Sequence, residues 1–364
     1  MAADRGELAA WLRLTLVPGV GGEAKRALLK ACGLPEAIFE ATPRALSALV
    51  DPVLAERLLG HDCSAAVADA LEWAGQPGNR VLTLADADYP RSLLTADDPP
   101  VLLYVKGDTK FLNRPMLAIV GSRNATAQGE RDAGAFARAL GDAGLTIVSG
   151  LALGIDGASH RGALDTPAGT VAVIGTGADR IYPARNEPLA RAIAEKGAII
   201  SEFPLGTPPL AGNFPRRNRL IAGLALGCLV VEAAPRSGSL ITARLAADAG
   251  REVFAIPGSI HTPLSRGCHQ LIRQGAKLVE SAADILEELR WPLPAASVSD
   301  AEEASMQGTL EEQVLASLGS VPCDVEALSA RTGLTPADLL AILLPMELAG
   351  RVAQLPGGLY QSLH

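Results

Sequence analysis

Between residues 214 and 223 the chain reads FPRRNRLIAG, which sets Phe214, Arg216, Arg217, Asn218 and Arg219 in the lead-in to an apolar helix. Three guanidiniums so close together repel one another unless an anion lies among them. With an exposed Phe beside them, the set suits a phosphate backbone that carries bases: charge holds the phosphates and the ring stacks on a base. A solvated helix start with one core Phe uses the same residue types, so the surroundings must separate the two readings.

Those surroundings begin with the strands. MLAIVG (116–121), LTIVSG (145–150), TVAVIG (170–175), AIISE (198–202), CLVVEA (228–233) and EVFAIPG (252–258) are continuously apolar rather than alternating, and each gap between them holds a helix-length segment. Strands buried on both faces must read this way, so the pattern predicts an α/β fold with a Rossmann-like, doubly wound, mostly parallel sheet. VLTL (81–84) and VLLYVKG (101–107) are two further strands ahead of it.

Ligands of such a sheet bind beyond the carboxyl ends of the strands. The loops there carry Gly121, Ser122 and Arg123, then Gly150, then the arginine cluster, then Arg236, Ser237, Gly238 and Ser239. Small residues let a backbone approach phosphate, and Ser237–Ser239 stand at a helix start that is either an ordinary N-cap or an anion site. Arg123 reads as a phosphate contact, with an ion pair to Asp156 or Glu232 as the structural alternative. Asp156 and His160 resemble an acid/base pair but have no nucleophile or metal partner, which favours a structural role. Glu202 and Glu232 are expected to hold the neighbouring arginines in place. Neither a P-loop nor GxGxxG in the first strand-to-helix turn is present.

Composition bounds the rest. At 364 residues the chain is long enough for two or three domains, and its net charge of −8 is unevenly spread. Residues 114–290 hold 19 Lys and Arg against 16 Asp and Glu, so the sheet region is the one part that is not acidic. Five scattered cysteines without a CxxC pair indicate neither a disulfide framework nor zinc, and no metal or cofactor is expected. No run approaches a membrane span and no leader is evident, which reads as cytoplasmic with no membrane partner.

The flanks differ in character. Residues 1–76 read as a domain of short amphipathic helices, such as 7–16, 24–31 and 52–59. The turn VPGVGG before Lys25 and Arg26 resembles a helix-hairpin-helix, although a tight turn between packed helices needs the same glycines. Residues 80–290 form the sheet domain. The Pro-, Ala-, Ser- and acid-rich stretch 291–308 reads as a linker, and three helical segments with a closing Gly-Gly hairpin in 309–364 read as a winged helix. Its third helix, 336–349, lacks Lys and Arg and should be kinked by Pro345. It predicts a protein-contact or spacer domain that does not read DNA.

GSR at 121–123, GLALGIDGASHRGAL at 150–164, ISEFPLGTPP at 200–209, FPRRNRLIAG, VVEA with SGSLITA, and GREVFAIPGS at 250–259 together resemble the bacterial DNA-processing protein A (DprA or Smf) family, densely over residues 80–290. The resemblance implies an N-terminal sterile-alpha-motif-like domain, a C-terminal winged helix and a non-enzymatic protein. Its expected role is a homodimer that binds and protects incoming single-stranded DNA in natural transformation and loads RecA for recombination. It also implies phosphate contacts from Arg123, Arg217, Asn218, Arg219 and Ser237–Ser239, a base against Phe214, and supporting charge from Arg216. Leu153, Ala225 and His269 depart from the family's usual Arg or Lys, Ser and Asn. The competing expectation is a Rossmann-like nucleoside-monophosphate hydrolase, with Arg217 on phosphate and Glu232 or Asp156 as acid/base.

Overall fold

The computed structural model describes residues 5–292, 310–318, 323–348, 351–355 and 358–363, divided between two compact units with the boundary after residue 293. The first unit opens with helices α1 (Arg5–Leu16), α2 (Gly22–Cys32), α3 (Pro35–Glu40), α4 (Pro43–Ser47), α5 (Pro52–Gly60) and α6 (Ser64–Ala74). The three helices expected here are present, with ends moved by no more than two residues. Their apolar stripes meet around Leu14, Leu28, Ile38 and Leu58. A second cluster joins Trp11, Leu12 and Trp73 to Leu102 and Tyr104 of the sheet, so the helical segment is packed on the sheet edge within one unit.

The sheet comprises β1 (Asn79–Thr83), β2 (Leu102–Gly107), β3 (Met116–Val120), β4 (Thr146–Ser149), β5 (Thr170–Val173), β6 (Ala198–Ser201), β7 (Gly227–Val230), β8 (Glu252–Ala255) and β9 (Lys277–Leu278), in the order β1-β2-β6-β5-β4-β3-β7-β8-β9. From β6 to β9 every pairing is parallel, whereas β2 runs antiparallel to both β1 and β6. The helices are α7 (Arg91–Leu94), α8 (Ala127–Asp142), α9 (Ile155–Ala163), α10 (Glu187–Lys196), α11 (Asn213–Leu224), α12 (Gly238–Asp248), α13 (Arg266–Arg273) and α14 (Ala282–Glu288).

The continuous apolarity of β3 follows from helices on both faces. Successive side chains of a strand point opposite ways. Leu117 and Ile119 therefore join Phe136, Leu140 and Ile155 of α8 and α9, while Ala118 and Val120 join Leu220, Ile221 and Ala243 of α11 and α12. After β6 the chain crosses back over β5, β4 and β3 and enters β7 on the far side of β3. The crevice outside the carboxyl ends of β3 and β7 is thus the topological switch point, where a doubly wound sheet offers its ligand site.

The second unit holds α15 (Leu310–Leu318), β10 (Cys323–Asp324), α16 (Val325–Thr332), α17 (Pro336–Leu348), β11 (Val352–Leu355) and β12 (Leu359–Ser362), with the strands in the antiparallel order β10-β12-β11. This is a winged helix with its own core of Val314, Leu328, Leu339, Leu343 and Tyr360. α17 runs on through Pro345 as one helix. Residues 356 and 357 of the expected hairpin, and 293–308 of the expected linker, lie outside the described residues. Trp291, read as the first linker residue, is tied to the first unit: its indole Nε1 donates to the Ala143 carbonyl at 2.8 Å. Among the described residues no single helix is long and apolar enough to cross a membrane.

Candidate nucleic-acid interface

A cleft of about 720 Å3 opens at the switch point. One wall is the β3–α8 loop, Gly121 to Asn124. The opposite wall is the β7–α12 loop with Arg236, Ser237, Gly238 and Ser239, and the first turns of α11 form the third side with Phe214, Arg217 and Asn218. The structure therefore brings together three segments that are about 115 residues apart along the chain at the extremes.

Each wall is built from local chemistry. Glu232, at the end of β7, accepts from Thr126 N at 2.9 Å and from Thr126 Oγ1 at 2.6 Å, and Thr126 in turn caps α8 at Gly129 N. The expected arginine partner of Glu232 is thus replaced by a threonine, because β7 ends beside the start of α8. Ser237 caps α12 by accepting from Ser239 N, and the two hydroxyls lie 2.7 Å apart. Asn218 Nδ2 donates to the Gly238 carbonyl at 3.3 Å, so α11 fixes the loop that starts α12. The cleft thus faces the positive end of an 11-residue helix with two hydroxyls at its rim.

The arginines part company. Arg123 is exposed and makes neither of the ion pairs open to it on paper; its guanidinium lies 5.2 Å from the centroid of the Phe214 ring. Arg217 is only 4% exposed. It donates to the Gly150 carbonyl at 2.7 Å and to the Val173 carbonyl, and burial lowers its pKa to about 10, which still leaves it charged. Gly150 belongs to this contact rather than to the open cleft, since a Cβ there would fall on the Arg217 guanidinium. Gly121 is constrained in the same way, by the Ile155 side chain and the Glu232 carbonyl. Arg216 and Arg219 lie outside the cleft. Arg219 is held by Glu202 at 2.5 Å and by Asp98 at 2.9 Å, on the other side of α11, and Arg216 is exposed there.

Phe214, expected to be exposed, is half-buried. Its ring sits 5.8 Å from Tyr182, tilted by 39°, with Tyr182 itself 45% exposed. Tyr182 was not singled out by motif reading. Only an aromatic at a strand-end loop in a chain with 4% aromatics marks it in the sequence. The two rings and the Arg123 guanidinium form a platform on which a base can stack.

Two buried titratable groups underlie the cleft. Burial raises the pKa of Asp156, while Arg217 opposes that shift and the Ala152 amide donates to its carboxylate at 3.3 Å. His160 is fully buried, its Nδ1 lies 2.7 Å from Thr170 Oγ1, and burial depresses its pKa to about 3, so it stands neutral. The two side chains are not paired with one another. Leu151, between β4 and α9, holds a positive φ of 59°, and its carbonyl and that of Ala152 each accept from Asn186 Nδ2 at 3.0 Å. That strained link sets the direction in which α9 leaves the sheet. Among the described residues no group of His, Cys, Asp and Glu could hold a metal ion, and His269, where Asn is usual, meets the Gly258 carbonyl at 2.9 Å.

Fold and site together define a doubly wound α/β protein with an electropositive, aromatic-edged cleft at its switch point and a separate winged helix. The family model of DNA recombination-mediator protein A matches residues 80–290, and that of the DprA winged helix domain matches 294–358. The chain belongs to the DNA recombination-mediator protein A family. It is 44% identical to protein Smf of Escherichia coli over 300 residues, 80% of each chain. The solved structure of DNA processing protein A from Streptococcus pneumoniae superposes with a TM-score of 0.68 at 38% identity, covering 79% of this chain and 99% of that one. DNA processing protein A from Helicobacter pylori, whose structure was determined for its single-stranded DNA binding mode, gives a TM-score of 0.53 at 32% identity over 58% of this chain and 95% of that one.

Proposed function

We propose that this chain binds single-stranded DNA in the switch-point cleft without regard to sequence. The observation that carries the reading is the pairing of an anion-binding rim with a stacking platform: Ser237–Ser239 at the start of α12, with Arg236, share one cleft with the Phe214–Tyr182 rings and the Arg123 guanidinium beside them. Phosphates meet the rim and a base meets the rings. Arg217 and Asn218 act from beneath, Arg217 by holding the ends of β4 and β5 and Asn218 by holding the α12 loop. Fluorescence anisotropy with labelled oligo-dT and duplex over a salt series tests this. Tight oligo-dT binding that weakens linearly in log–log form as salt rises is the expected result. Equal preference for duplex would contradict it.

The finer role follows the family. Acting in the cytoplasm as a homodimer, the chain would protect incoming strands in transformation and load RecA on them. Faster RecA filament growth on protein-coated strands, and a dimer mass in solution, are the expected observations. The hydrolase alternative has Asp156 in its favour, a carboxylate that lines the cleft with a raised pKa. Glu232 is committed to Thr126. Release of free base from AMP by the purified chain, lost in Asp156→Asn, would establish that reading in place of simple binding.

A further inference from the structure

The side of α11 turned away from the cleft borders a second cavity, of about 450 Å3, where the helical N-terminal segment meets the sheet edge. Its walls bring the Val17–Gly22 turn together with Lys25, Arg26, Asp98, Glu202, Arg216 and Arg219. Four cations against two carboxylates leave the cavity positive. The start of α2 adds to this: its N-cap is Gly21, no side chain caps it, residues 21–23 are exposed, and the Asp98 carboxylate near Gly22 is paired with Arg26 and Arg219.

The buried groups inside the cavity are incompletely satisfied. The Glu202 side chain is 8% exposed; one of its carboxylate oxygens accepts from Arg219, while the other, Oε1, has no partner. Arg219 Nη1 is likewise buried and without a partner, although its Nε and Nη2 are bound. These two atoms are closed to solvent and belong to the wall behind the cavity, which leaves Lys25 and Arg216 as the cations that face it. Lys25 donates to the Thr15 carbonyl at 3.0 Å, and burial lowers its pKa to about 8, with Glu202 raising it and Arg216 lowering it further.

We propose that this cavity is a second nucleotide pocket, which takes a phosphate on the α2 amides, Lys25 and Arg216. The proposal rests on the reading that the switch-point cleft binds a single strand. Both lie on the first two turns of α11: Phe214, Arg217 and Asn218 face the cleft, and Arg216 and Arg219 face the cavity. The loop between β6 and α11 contributes Phe203 and Pro204 to the cavity and Pro209 and Ala211 to the cleft. This loop and α11 therefore border both the cleft and the cavity. A free mononucleotide offers the same chemistry, and the test separates the two sources.

The full chain, Lys25→Gln and Arg123→Ala are compared in anisotropy with a short oligo-dT of about 4 nucleotides and a long one of about 16. Gln suits the site because Lys25 is already easily neutralised there, and Lys25→Arg serves as the conservative rescue. Arg123→Ala should weaken both lengths. Lys25→Gln should leave the short oligomer unchanged, weaken the long one severalfold and flatten its log–log salt slope by about 0.7 for one lost phosphate contact, with Lys25→Arg restoring it. A parallel titration with AMP identifies the other source: Lys25-dependent AMP binding without Lys25-dependent strand binding makes a mononucleotide the occupant. Wild-type behaviour of Lys25→Gln in both arms overturns the second pocket, and if Arg123→Ala still loses affinity the cleft reading stands. Unchanged binding in Arg123→Ala would instead remove the cleft reading.

Discussion

At the residue scale, the arginine cluster divides its work between two sides of one helix. A guanidinium can lend charge to a ligand only where it is not already committed, and Arg123 and Arg217 differ in this respect. Arg123 is exposed over the Phe214 ring, so Arg123→Ala should cost about 1.5–3 kcal/mol of oligo-dT binding, the range of a charged hydrogen bond, and leave the thermal midpoint unchanged. Phe214→Ala should cost about 1–3 kcal/mol by loss of stacking, read by the same anisotropy assay. Arg217→Ala behaves differently. It strips two main-chain carbonyls of their donor and leaves buried Asp156 without its neighbouring cation. A loss of about 2–5 kcal/mol in urea unfolding is expected, not restored by Lys, whose single ammonium cannot reproduce the fork. Wild-type stability in Arg217→Ala would show that its guanidinium is spent on the ligand after all.

At the element scale, the helix starts and the strand ends form the cleft, and the residues beneath them keep those ends in register. α9 leaves β4 through the strained Leu151 and packs His160 against β5 at Thr170. The folded state holds His160 neutral with a pKa near 3, whereas an unfolded histidine titrates near 6.5. Between those values the unfolded chain binds more protons than the folded one. The stabilisation is therefore whole above pH 6.5 and is lost as pH falls towards 3. Unfolding free energies measured across that window should fall less steeply in His160→Gln than in the natural chain. Equal slopes would show that other groups dominate the acid limb.

At the scale of the whole molecule, the chain divides into a unit that carries the cleft and a winged helix whose chemistry is of another kind. Arg331 and Arg351 are the only Lys or Arg from residue 309 onward, against Glu311, Glu312, Asp324, Glu326, Asp338 and Glu347. α17 buries Leu339, Leu343 and Met346 and exposes Leu340 and Leu344. An acidic composition with apolar exposure disfavours contact with a phosphate backbone. A chain ending at residue 292 retains the first unit's cores, and its affinity for oligo-dT should stay within about twofold of the full chain, well under the 1.4 kcal/mol that a tenfold change represents. Duplex binding by residues 305–364 would reverse the assignment of roles.

Much was legible in the sequence because it depends on local pattern. Uninterrupted apolar runs separated by helix-length segments determine a parallel sheet covered on both faces, and MLAIVG, CLVVEA and their neighbours could scarcely form anything else. The clustering of glycine, serine and arginine at strand ends likewise placed the cleft, and six ordered motifs identified the family. Sequence could not decide which way each side chain of FPRRNR points. Successive residues of a helix turn through about 100°, so neighbours in the motif diverge in space. Only the packing of α11 against the sheet, α7 and α12 sends Arg217 inward to Gly150 and Val173 and Arg219 to Glu202 and Asp98, while Phe214 meets Tyr182 from a loop some thirty residues away. Charge and composition are properties of the chain, but burial and partnership arise when distant segments meet, and these decide which arginines remain free for a ligand.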